Sequence, residues 1–223
     1  MKKKVVIIGG VAGGASTAAR LRRLDENVEI KIFERGKYIS YANCGLPYYV
    51  GNVIKERDSL LVQTTQGMKK RFNIDIYTLH EVLKIDRANK SLLIKNLKTN
   101  EIFQENYDIL VLSSGAEPIK PPIKGIDYAE NVFILRDIPD ADKIKNFIET
   151  KNPKNAVVIG GGFIGIEIAD SLLARGMNVT IVEKADQILV QLDKEMANIL
   201  HKHIIDKGIE LILSDSVEEF KNN

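Results

Sequence analysis

The sequence predicts an α/β protein that contains two copies of one strand–helix–strand unit. Two short apolar runs, 5–8 and 156–159, suit strands that are buried on both faces of a parallel sheet. A glycine-rich turn and a run of strong helix formers follow each of them, and a second strand ending in a glutamate follows each helix. The repeat of 5–36 in 156–186 therefore indicates an internal duplication, with two folds of the same kind in tandem.

The first glycine turn lies between the predicted strand and a helix at 15–24, and it reads Gly9-Gly10-Val11-Ala12-Gly13-Gly14. In the dinucleotide-binding pattern GxGxxG, glycines let the backbone approach a pyrophosphate, and the helix start offers free N–H groups. Here Val11 replaces the middle glycine. Glu34 ends a predicted strand at 29–34 and follows Gly9 by 25 positions, near the ~20 at which the pattern places an acid for a ribose. We predict a dinucleotide site formed by Gly9, Gly10, Ala12, Gly13, Gly14, Glu34 and Arg35.

The second glycine turn, at 160–165, is a complete GxGxxG. A helix is predicted to follow it as far as Ala174, and a strand at 178–183 ends in Glu183, 23 positions after Gly160. A carboxylate at this position accepts a ribose 2′-hydroxyl and repels a 2′-phosphate, so NADH is favoured over NADPH, although Lys184 lies beside it. The second predicted site comprises Gly160, Gly162, Phe163, Ile164, Gly165 and Glu183.

The remaining elements complete the predicted architecture. Further strands are expected at 74–77, 81–86, 91–95, 107–112 and 209–213. Further helices are expected at 64–72 and at 140–149. A later helix is expected to have one apolar face, formed by Leu192, Met196, Ile199, Leu200 and Ile204. The first four strands include a small β-meander. A linker rich in proline, around 118–125, separates a first domain, 1–120, from a second, 121–223.

Composition narrows the class of protein. A chain of 223 residues with 44% hydrophobic and 28% charged residues is an ordinary globular chain. The net charge of +2 favours neither nucleic acid nor an anionic membrane as a partner. Three N-terminal lysines followed by apolar residues loosely resemble a secretory signal, but glycines interrupt the apolar stretch. We therefore expect a cytoplasmic protein without a membrane span.

The stretch 40–49 holds Cys44, the only cysteine of the chain. A lone cysteine most often packs as a small hydrophobic residue, but this one stands among turn formers such as Asn43, Gly45 and Pro47. Two nucleotide folds predict two bound nucleotides, and hydride transfer between cofactors explains both. Cys44 is then the candidate acceptor of the electrons. The three histidines, His80, His201 and His203, are expected to be structural or exposed, and no metal site is predicted.

These motifs resemble the flavin-dependent pyridine nucleotide–disulfide oxidoreductases. The glycine turn together with 40–49 resembles the single-cysteine branch, which holds coenzyme A-disulfide reductases, CoA-persulfide reductases, NADH oxidases and NADH peroxidases. The resemblance implies a glutathione-reductase-like arrangement in which the first fold binds FAD and the second binds NAD(P)H. It also implies that the chain corresponds to the N-terminal portion of a longer, homodimeric enzyme, whose C-terminal part is missing here.

The resemblance also implies roles for single residues. Val82 would meet the adenine of FAD through its backbone, Ser113 and Gly115 would pass close to the flavin, and Phe163 would cover the flavin until the dinucleotide binds. The oxidases and peroxidases carry a histidine at the position of Ala12, which supports a sulfenic acid. Alanine there favours the CoA-disulfide reductases. In those relatives the coenzyme A site would be lined by Ser16, Arg20, Arg23, Ser40 and Asn43, and arginines suit its phosphates.

The expected activity is reduction of CoA disulfide or CoA persulfide by NAD(P)H through FAD and the redox residue Cys44. Three alternatives stay open at this point. The first is an NADH oxidase or peroxidase that cycles Cys44 through a sulfenic acid. The second is a non-catalytic nucleotide-binding fragment or a redox sensor, and the third is a pair of nucleotide folds in which the cysteine has no role.

Overall fold

The computed structural model describes residues 2–221. Ten strands follow in chain order: β1 (Lys4–Ile8), β2 (Glu29–Glu34), β3 (Asp75–Thr78), β4 (His80–Asp86), β5 (Ser91–Asn96), β6 (Ile102–Asn106), β7 (Ile109–Leu112), β8 (Asn155–Ile159), β9 (Asn178–Glu183) and β10 (Glu210–Leu213). The α-helices of the described residues are α1 (Ala12–Leu24), α2 (Leu46–Val50), α3 (Thr65–Phe72), α4 (Ile138–Lys151), α5 (Phe163–Ala174) and α6 (Lys194–Asp206). None of the helices within residues 2–221 combines the length and the apolar composition needed to cross a lipid bilayer.

The chain divides into two compact units. Unit 1 comprises Met1–Ala42 and Leu60–Ala116, and unit 2 comprises Asn43–Ser59 and Glu117–Asn223. The predicted domain boundary at 120 lies close to the start of the long segment of unit 2. The predicted first domain, 1–120, also contains the segment Asn43–Ser59, which the structure groups with the second unit. The assignment of a cofactor to each predicted domain stays a prediction.

Unit 1 is a parallel sheet between two layers. The strand order is β3-β2-β1-β7, and β1 pairs in parallel with both β2 and β7. On one face, Val5 and Ile7 of β1 pack with Ala15 and Ala18 of α1 and with Met68 of α3. On the other face, Val6 and Phe33 pack with Leu92 and Ile94 of an antiparallel sheet ordered β4-β5-β6. A parallel sheet buried on both faces is what the continuous apolar run at 5–8 predicts.

Unit 2 repeats the first βαβ arrangement, with strand order β10-β9-β8 and parallel pairing throughout. Its core includes Val158, Val179 and Ile181, with Ala169 and Leu172 of α5. The second face differs from that of unit 1. Val157 of β8 is 60% exposed and Ile159 is 46% exposed, whereas Val6 is fully buried. Within 117–221, no second sheet covers this face of β8.

Most predicted elements are confirmed, and the differences have local causes. Strand β6 was not predicted because its inward positions alternate between Phe103 and Glu105, so the apolar alternation of a half-buried strand is interrupted by a charge. Helix α6 buries Ala197 and Ile204, while Met196 and Ile199 lie exposed and Leu192 precedes the helix. The predicted apolar face of this helix was therefore wrong in part.

The inward glutamate of β6 is held by two lysines. Its Oε1 accepts a hydrogen bond from Lys4 Nζ at 2.8 Å, and its Oε2 accepts one from Lys31 Nζ at 3.0 Å. Burial raises the pKa of Glu105, but the hydrogen bonds and charges of Lys4 and Lys31 outweigh it and hold the pKa below its ordinary value. Burial lowers the pKa of Lys31, and Glu105 reverses this effect, so that pKa is raised. The cluster joins β1, β2 and β6 within unit 1.

We expect Glu105→Gln to lower the free energy of unfolding by about 1–3 kcal/mol near pH 7, because two partly buried ammonium groups lose a charged acceptor. A lowered folded-state pKa contributes stability above the unfolded pKa of glutamate, and that contribution is lost as pH falls through the folded value. The difference between wild type and variant should therefore shrink under acid. Urea unfolding at pH 7 and pH 3 measures both effects. The matched control is Glu101→Gln, whose side chain is exposed; an equal loss in this control would contradict the account.

Candidate functional site

The first glycine turn is tied to the end of β2 by one carboxylate. Gly10 donates its N–H to Glu34 Oε2 at 2.7 Å, and Gly36 donates to Glu34 Oε1 at 2.6 Å. Gly9 has a φ of +96° and donates its N–H to the Phe33 carbonyl at 2.8 Å. A Cβ on Gly14 would lie 1.8 Å from the Gly9 carbonyl oxygen, so the helix start packs directly on the turn. The turn therefore requires glycine at both of its ends.

The second glycine turn has the same geometry. Gly161 donates to Glu183 Oε2 at 2.6 Å, and Ala185 donates to Glu183 Oε1 at 2.8 Å. Gly160 has a φ of +103°, and a Cβ on Gly165 would lie 2.0 Å from its carbonyl oxygen. Glu183 and Glu34 thus make equivalent pairs of hydrogen bonds. The duplication predicted from the sequence extends to the hydrogen bonds of the two turns.

The middle position of each turn explains the departure at Val11. Val11 and Gly162 both precede the first helical residue, with φ values of −84° and −79° that any residue adopts. A Cβ on Gly162 would meet nothing within 4 Å. In the protein without a bound ligand, this position therefore has room for a side chain. The valine at the middle position is compatible with a nucleotide-binding turn.

Both turns fit the pyrophosphate of a dinucleotide. Within the described residues, no side chain caps α1 or α5, and neither helix has an acidic residue in its first turn. The free N–H groups and the positive end of the helix dipole therefore remain available to an anion. Ala12 and Gly13 begin α1, and Phe163 and Ile164 begin α5 with 63% and 57% of their surfaces exposed. The predicted residues of each turn lie together around one helix start.

A residue in the left-handed backbone conformation donates a hydrogen bond to each turn. Ser40, with a φ of +42°, donates its N–H to the Gly10 carbonyl at 3.1 Å. Leu189, with a φ of +45°, donates to the Gly161 carbonyl at 2.9 Å. Non-glycine residues rarely adopt this conformation, which costs about 1–3 kcal/mol where the surroundings impose it. The equivalent roles of Ser40 and Leu189 were not predicted, because they become visible only when the hydrogen bonds of the two turns are compared.

The other residues predicted for the first site lie in unit 1. Ser113, which follows β7, donates its N–H to the Ile8 carbonyl at 2.8 Å, and its Oγ would lie 3.3 Å from a Cβ on Gly13. Gly115 follows with a φ of +73°. Arg35 forms an exposed ion pair with Glu81 at 4.0 Å. Val82 stands at the irregularity where the β4–β5 register shifts, a place where strand pairing leaves the backbone less regular.

Helix α1 also carries three of the predicted coenzyme A residues, Ser16, Arg20 and Arg23. An open depression of about 430 Å³ is lined by Ser16, Thr17, Arg20, Leu21 and Leu24. Arg23 lies exposed outside this lining, and Ser40 lies at the turn already described. Within the described residues, neither Arg20 nor Arg23 makes a side-chain hydrogen bond or ion pair. By contrast, Arg22 donates to four carbonyl oxygens, among them Phe72 O at 2.8 Å, and is therefore structural.

Cys44 and Asn43 belong to unit 2. Cys44 is exposed in a short 3₁₀ turn, Asn43–Gly45, that runs directly into α2. Helix α2 packs against α4 and α5. Neither the short helix nor its packing was predicted from the sequence, because Pro47 and the neighbouring glycines read as a loop. The structure therefore places the cysteine segment in the compact unit that contains the second glycine turn.

Two of the three histidines have structural contacts, and His203 is exposed. His80 is the first residue of β4, its Nδ1 lies 2.8 Å from the Thr78 carbonyl oxygen, and its ring packs against Phe33, Tyr77 and Phe103. His201 accepts the Ile188 N–H through Nε2 at 3.2 Å. Among residues 2–221, no group of three or more histidine, cysteine or acidic side chains is placed to hold a metal ion.

Residues 3–223 match the family described as pyridine nucleotide-disulphide oxidoreductase. The chain belongs to that family. The α/β fold with parallel sheets is the one predicted. A coenzyme A disulfide reductase of Staphylococcus haemolyticus is 35% identical over 99% of this chain, which covers 49% of that protein. An NADH oxidase of Methanocaldococcus jannaschii is 38% identical, with 97% and 48% covered.

A solved structure is also close to this chain. The crystal structure of reduced Bacillus anthracis CoADR-RHD has a TM-score of 0.98 and 53% identity, and it covers all of this chain, which corresponds to 40% of that one. The chain spans about half the length of the curated relatives it matches. Its fold and family membership are thereby established, and the activity of the whole protein is the subject of a proposal.

We expect Gly165→Ala to destabilise unit 2 by roughly 1–3 kcal/mol, because the added Cβ overlaps the Gly160 carbonyl oxygen in a closely packed turn. Gly162→Ala is the matched control. It adds the same methyl group in open space at a negative φ, so its effect should stay within about 1 kcal/mol. Urea unfolding followed by circular dichroism compares the two variants, and equal losses would contradict the described turn.

Proposed function

We propose that the protein is a flavoprotein that takes a hydride from NADH and reduces coenzyme A disulfide through Cys44. The single observation that carries the proposal is the pair of equivalent nucleotide turns, each closed by a bridging glutamate, in a chain with one exposed cysteine. Family membership and the coenzyme A disulfide reductase relatives support it. The cytoplasmic location and the homodimer stay predictions.

Unit 1 would hold FAD and unit 2 would hold the dinucleotide. In each turn both carboxylate oxygens accept a backbone N–H, and each oxygen keeps a further lone pair for a ribose hydroxyl. The Glu183 charge disfavours the 2′-phosphate of NADPH, so NADH is the proposed donor. Bound FAD would supply two-electron transfer between the nicotinamide and sulfur. The residues of this chain would bind and orient the two nucleotides at the N-terminal starts of α1 and α5.

Cys44 would carry the substrate chemistry. Its thiolate attacks one sulfur of coenzyme A disulfide, which forms a mixed disulfide with Cys44 and releases one coenzyme A thiolate. Two electrons, which come from NADH, then break this mixed disulfide and release the second coenzyme A. The Cys44 thiolate is regenerated. One NADH and one proton are consumed for two coenzyme A thiols, so electrons and atoms balance.

The second candidate is an NADH oxidase, and the relative in Methanocaldococcus jannaschii is the observation that favours it. Cys44 would then cycle through a sulfenic acid, and oxygen would be the acceptor. Ala12 has no side chain that can support such an acid by hydrogen bonding. A peroxidase and a CoA-persulfide reductase would also differ from the proposed reductase in the electron acceptor. Oxygen uptake by the intact, FAD-loaded protein in the presence of NADH decides between the oxidase and the reductase.

We expect Cys44→Ser to abolish NADH-dependent reduction of coenzyme A disulfide by the intact, FAD-loaded protein. Serine cannot form the mixed disulfide, and it differs from cysteine only by oxygen in place of sulfur. Spectrophotometry of NADH oxidation with released thiol measures the turnover. Binding of NADH should be unchanged, which shows that the variant is folded. Turnover of the serine variant at the wild-type rate would contradict the proposed role of Cys44.

Arg20→Ala and Arg23→Ala should each raise KM for coenzyme A disulfide by roughly tenfold, since each loses a charge-assisted hydrogen bond to phosphate, worth ~1.5–3 kcal/mol. The matched control is Arg87→Ala, an exposed arginine on the β4–β5 turn. Steady-state kinetics of the intact protein compare the three variants, and the KM for NADH should not change. If KM for the disulfide stays at the wild-type value in both α1 variants, the assignment of the coenzyme A site is wrong.

A further inference from the structure

The segment that follows Cys44 is held by polar contacts that its own sequence does not explain. Helix α2 has only five residues, and four of them, Leu46, Pro47, Tyr49 and Val50, are buried. So short a helix is not stable by itself in water, because one or two hydrogen-bonded turns do not offset the cost of nucleation. Its position therefore depends on the residues that hold it. Cys44 lies two positions before its first residue, in the continuous 3₁₀ turn.

Helix α4 holds the segment through Tyr49. The Tyr49 hydroxyl donates to Asp142 Oδ1 at 3.0 Å, across 93 positions of the chain. Lys145 Nζ donates to the Tyr49 carbonyl at 3.2 Å and to Asn52 Oδ1 at 2.6 Å. The same ammonium lies 4.2 Å from the centroid of the Tyr49 ring. Tyr49, Asp142 and Lys145 are called the Tyr49 anchor below.

The donor in the Tyr49 anchor keeps its proton over the neutral range. Burial, followed by the hydrogen bond and the negative charge of Asp142, raises the pKa of Tyr49 to about 12. Arg57 NH1 lies 3.6 Å from the second carboxylate oxygen of Asp142. The carboxylate thus has a hydrogen-bond donor on one oxygen and a cation near the other.

Helix α5 and Arg175, the residue that follows it, hold the same end of α2 from a second side. Arg175 NH1 donates to the Val50 carbonyl at 3.0 Å. A Cβ on Gly51 would lie 2.9 Å from Ser171 Cβ, so the backbone here runs directly against the helix. The same α5 begins at the second glycine turn. The cysteine segment is therefore fixed at the C-terminal end of α2 by residues of unit 2 that lie far along the chain.

We propose that Tyr49, Asp142 and Lys145 are positioning residues that fix Cys44 for its reaction with a disulfide. The proposal rests on the proposed function in one respect, that Cys44 is the reacting sulfur. These side chains lie beyond the reacting atoms and act through the backbone of 44–50. A hydrophobic contact alone would bury α2 as well, but the directed hydrogen bond from Tyr49 fixes its rotation about its own axis. That rotation sets the direction of the preceding turn.

The first experiment measures the order of the segment directly. Cys44 is the only cysteine, so a nitroxide label attached to it needs no other substitution. Tyr49→Phe and Asp142→Ala both remove the hydrogen bond, and we expect the electron paramagnetic resonance spectrum of the labelled protein to gain a mobile component in each. Asp142→Asn keeps an oxygen acceptor for the Tyr49 hydroxyl and should retain the wild-type spectrum. Tyr128→Phe, an exposed tyrosine of unit 2, is the matched control.

The second experiment separates positioning from general damage. In the intact, FAD-loaded protein, Tyr49→Phe should lower kcat for coenzyme A disulfide about tenfold or more, since a small misplacement of a reacting group has effects of this size. The rate at which NADH reduces the protein, followed at the flavin absorbance without acceptor, should stay at the wild-type value. Asp142→Asn, which keeps the acceptor for the Tyr49 hydroxyl, should retain the wild-type kcat. A merely structural role would lower both rates in parallel.

Two results would overturn the proposal. One is an unchanged spectrum and unchanged kcat in both Tyr49→Phe and Asp142→Ala, and the other is a parallel fall of both rates. Asp142→Ala keeps the test valid if Tyr49→Phe fails to fold. If wild type does not reduce coenzyme A disulfide, the proposed function fails. The label spectra still decide then whether the Tyr49 anchor orders Cys44.

Discussion

The structure depends on one repeated interaction, the carboxylate that joins a glycine turn to the end of the following strand. Glu34 accepts the N–H groups of Gly10 and Gly36, and Glu183 accepts those of Gly161 and Ala185. A carboxylate that accepts two backbone hydrogen bonds in this way holds both segments in fixed relation. Within the described residues, no side chain caps α1 or α5, so the N–H groups at the start of each helix stay available to a phosphate. We propose that each of these carboxylates also accepts a hydrogen bond from a ribose hydroxyl.

The two units each contain one such turn and differ in the elements that surround it. Unit 1 adds a covering β4–β6 sheet and an arginine-bearing α1, whereas unit 2 adds the cysteine segment. The segment could not hold a reactive sulfur by itself, because α2 is too short to be stable alone. It is positioned by α4 and α5, and α5 also begins at the second turn. In the proposed function, binding of the dinucleotide and placement of the sulfur therefore belong to the same structural unit.

Local physics made much of this predictable from sequence. The glycines, the acids and the apolar strands recur at short, fixed spacings, so the two strand–turn–helix–strand units could be predicted, and the structure contains both. The hydrogen bonds of Glu34 and Glu183 to the turns were not predicted, and the binding roles of these residues stay predictions. The parts that could not be predicted depend on partners far along the chain. Glu105 is paired with Lys4 across 101 positions, and Arg175 with the Val50 carbonyl across 125. Such contacts leave no periodic pattern in the sequence. The elements that depend on them, β6 with Glu105 and α2 with Val50, were therefore not predicted.

The most direct test of the account is the intact mass of the protein purified under non-reducing conditions. The account predicts a species heavier than the sequence by one coenzyme A less two hydrogens, which returns to the sequence mass after treatment with a thiol. A digest should place that adduct on the peptide containing Cys44. An increase by one or two oxygens without coenzyme A would contradict the coenzyme A assignment and would favour the oxidase.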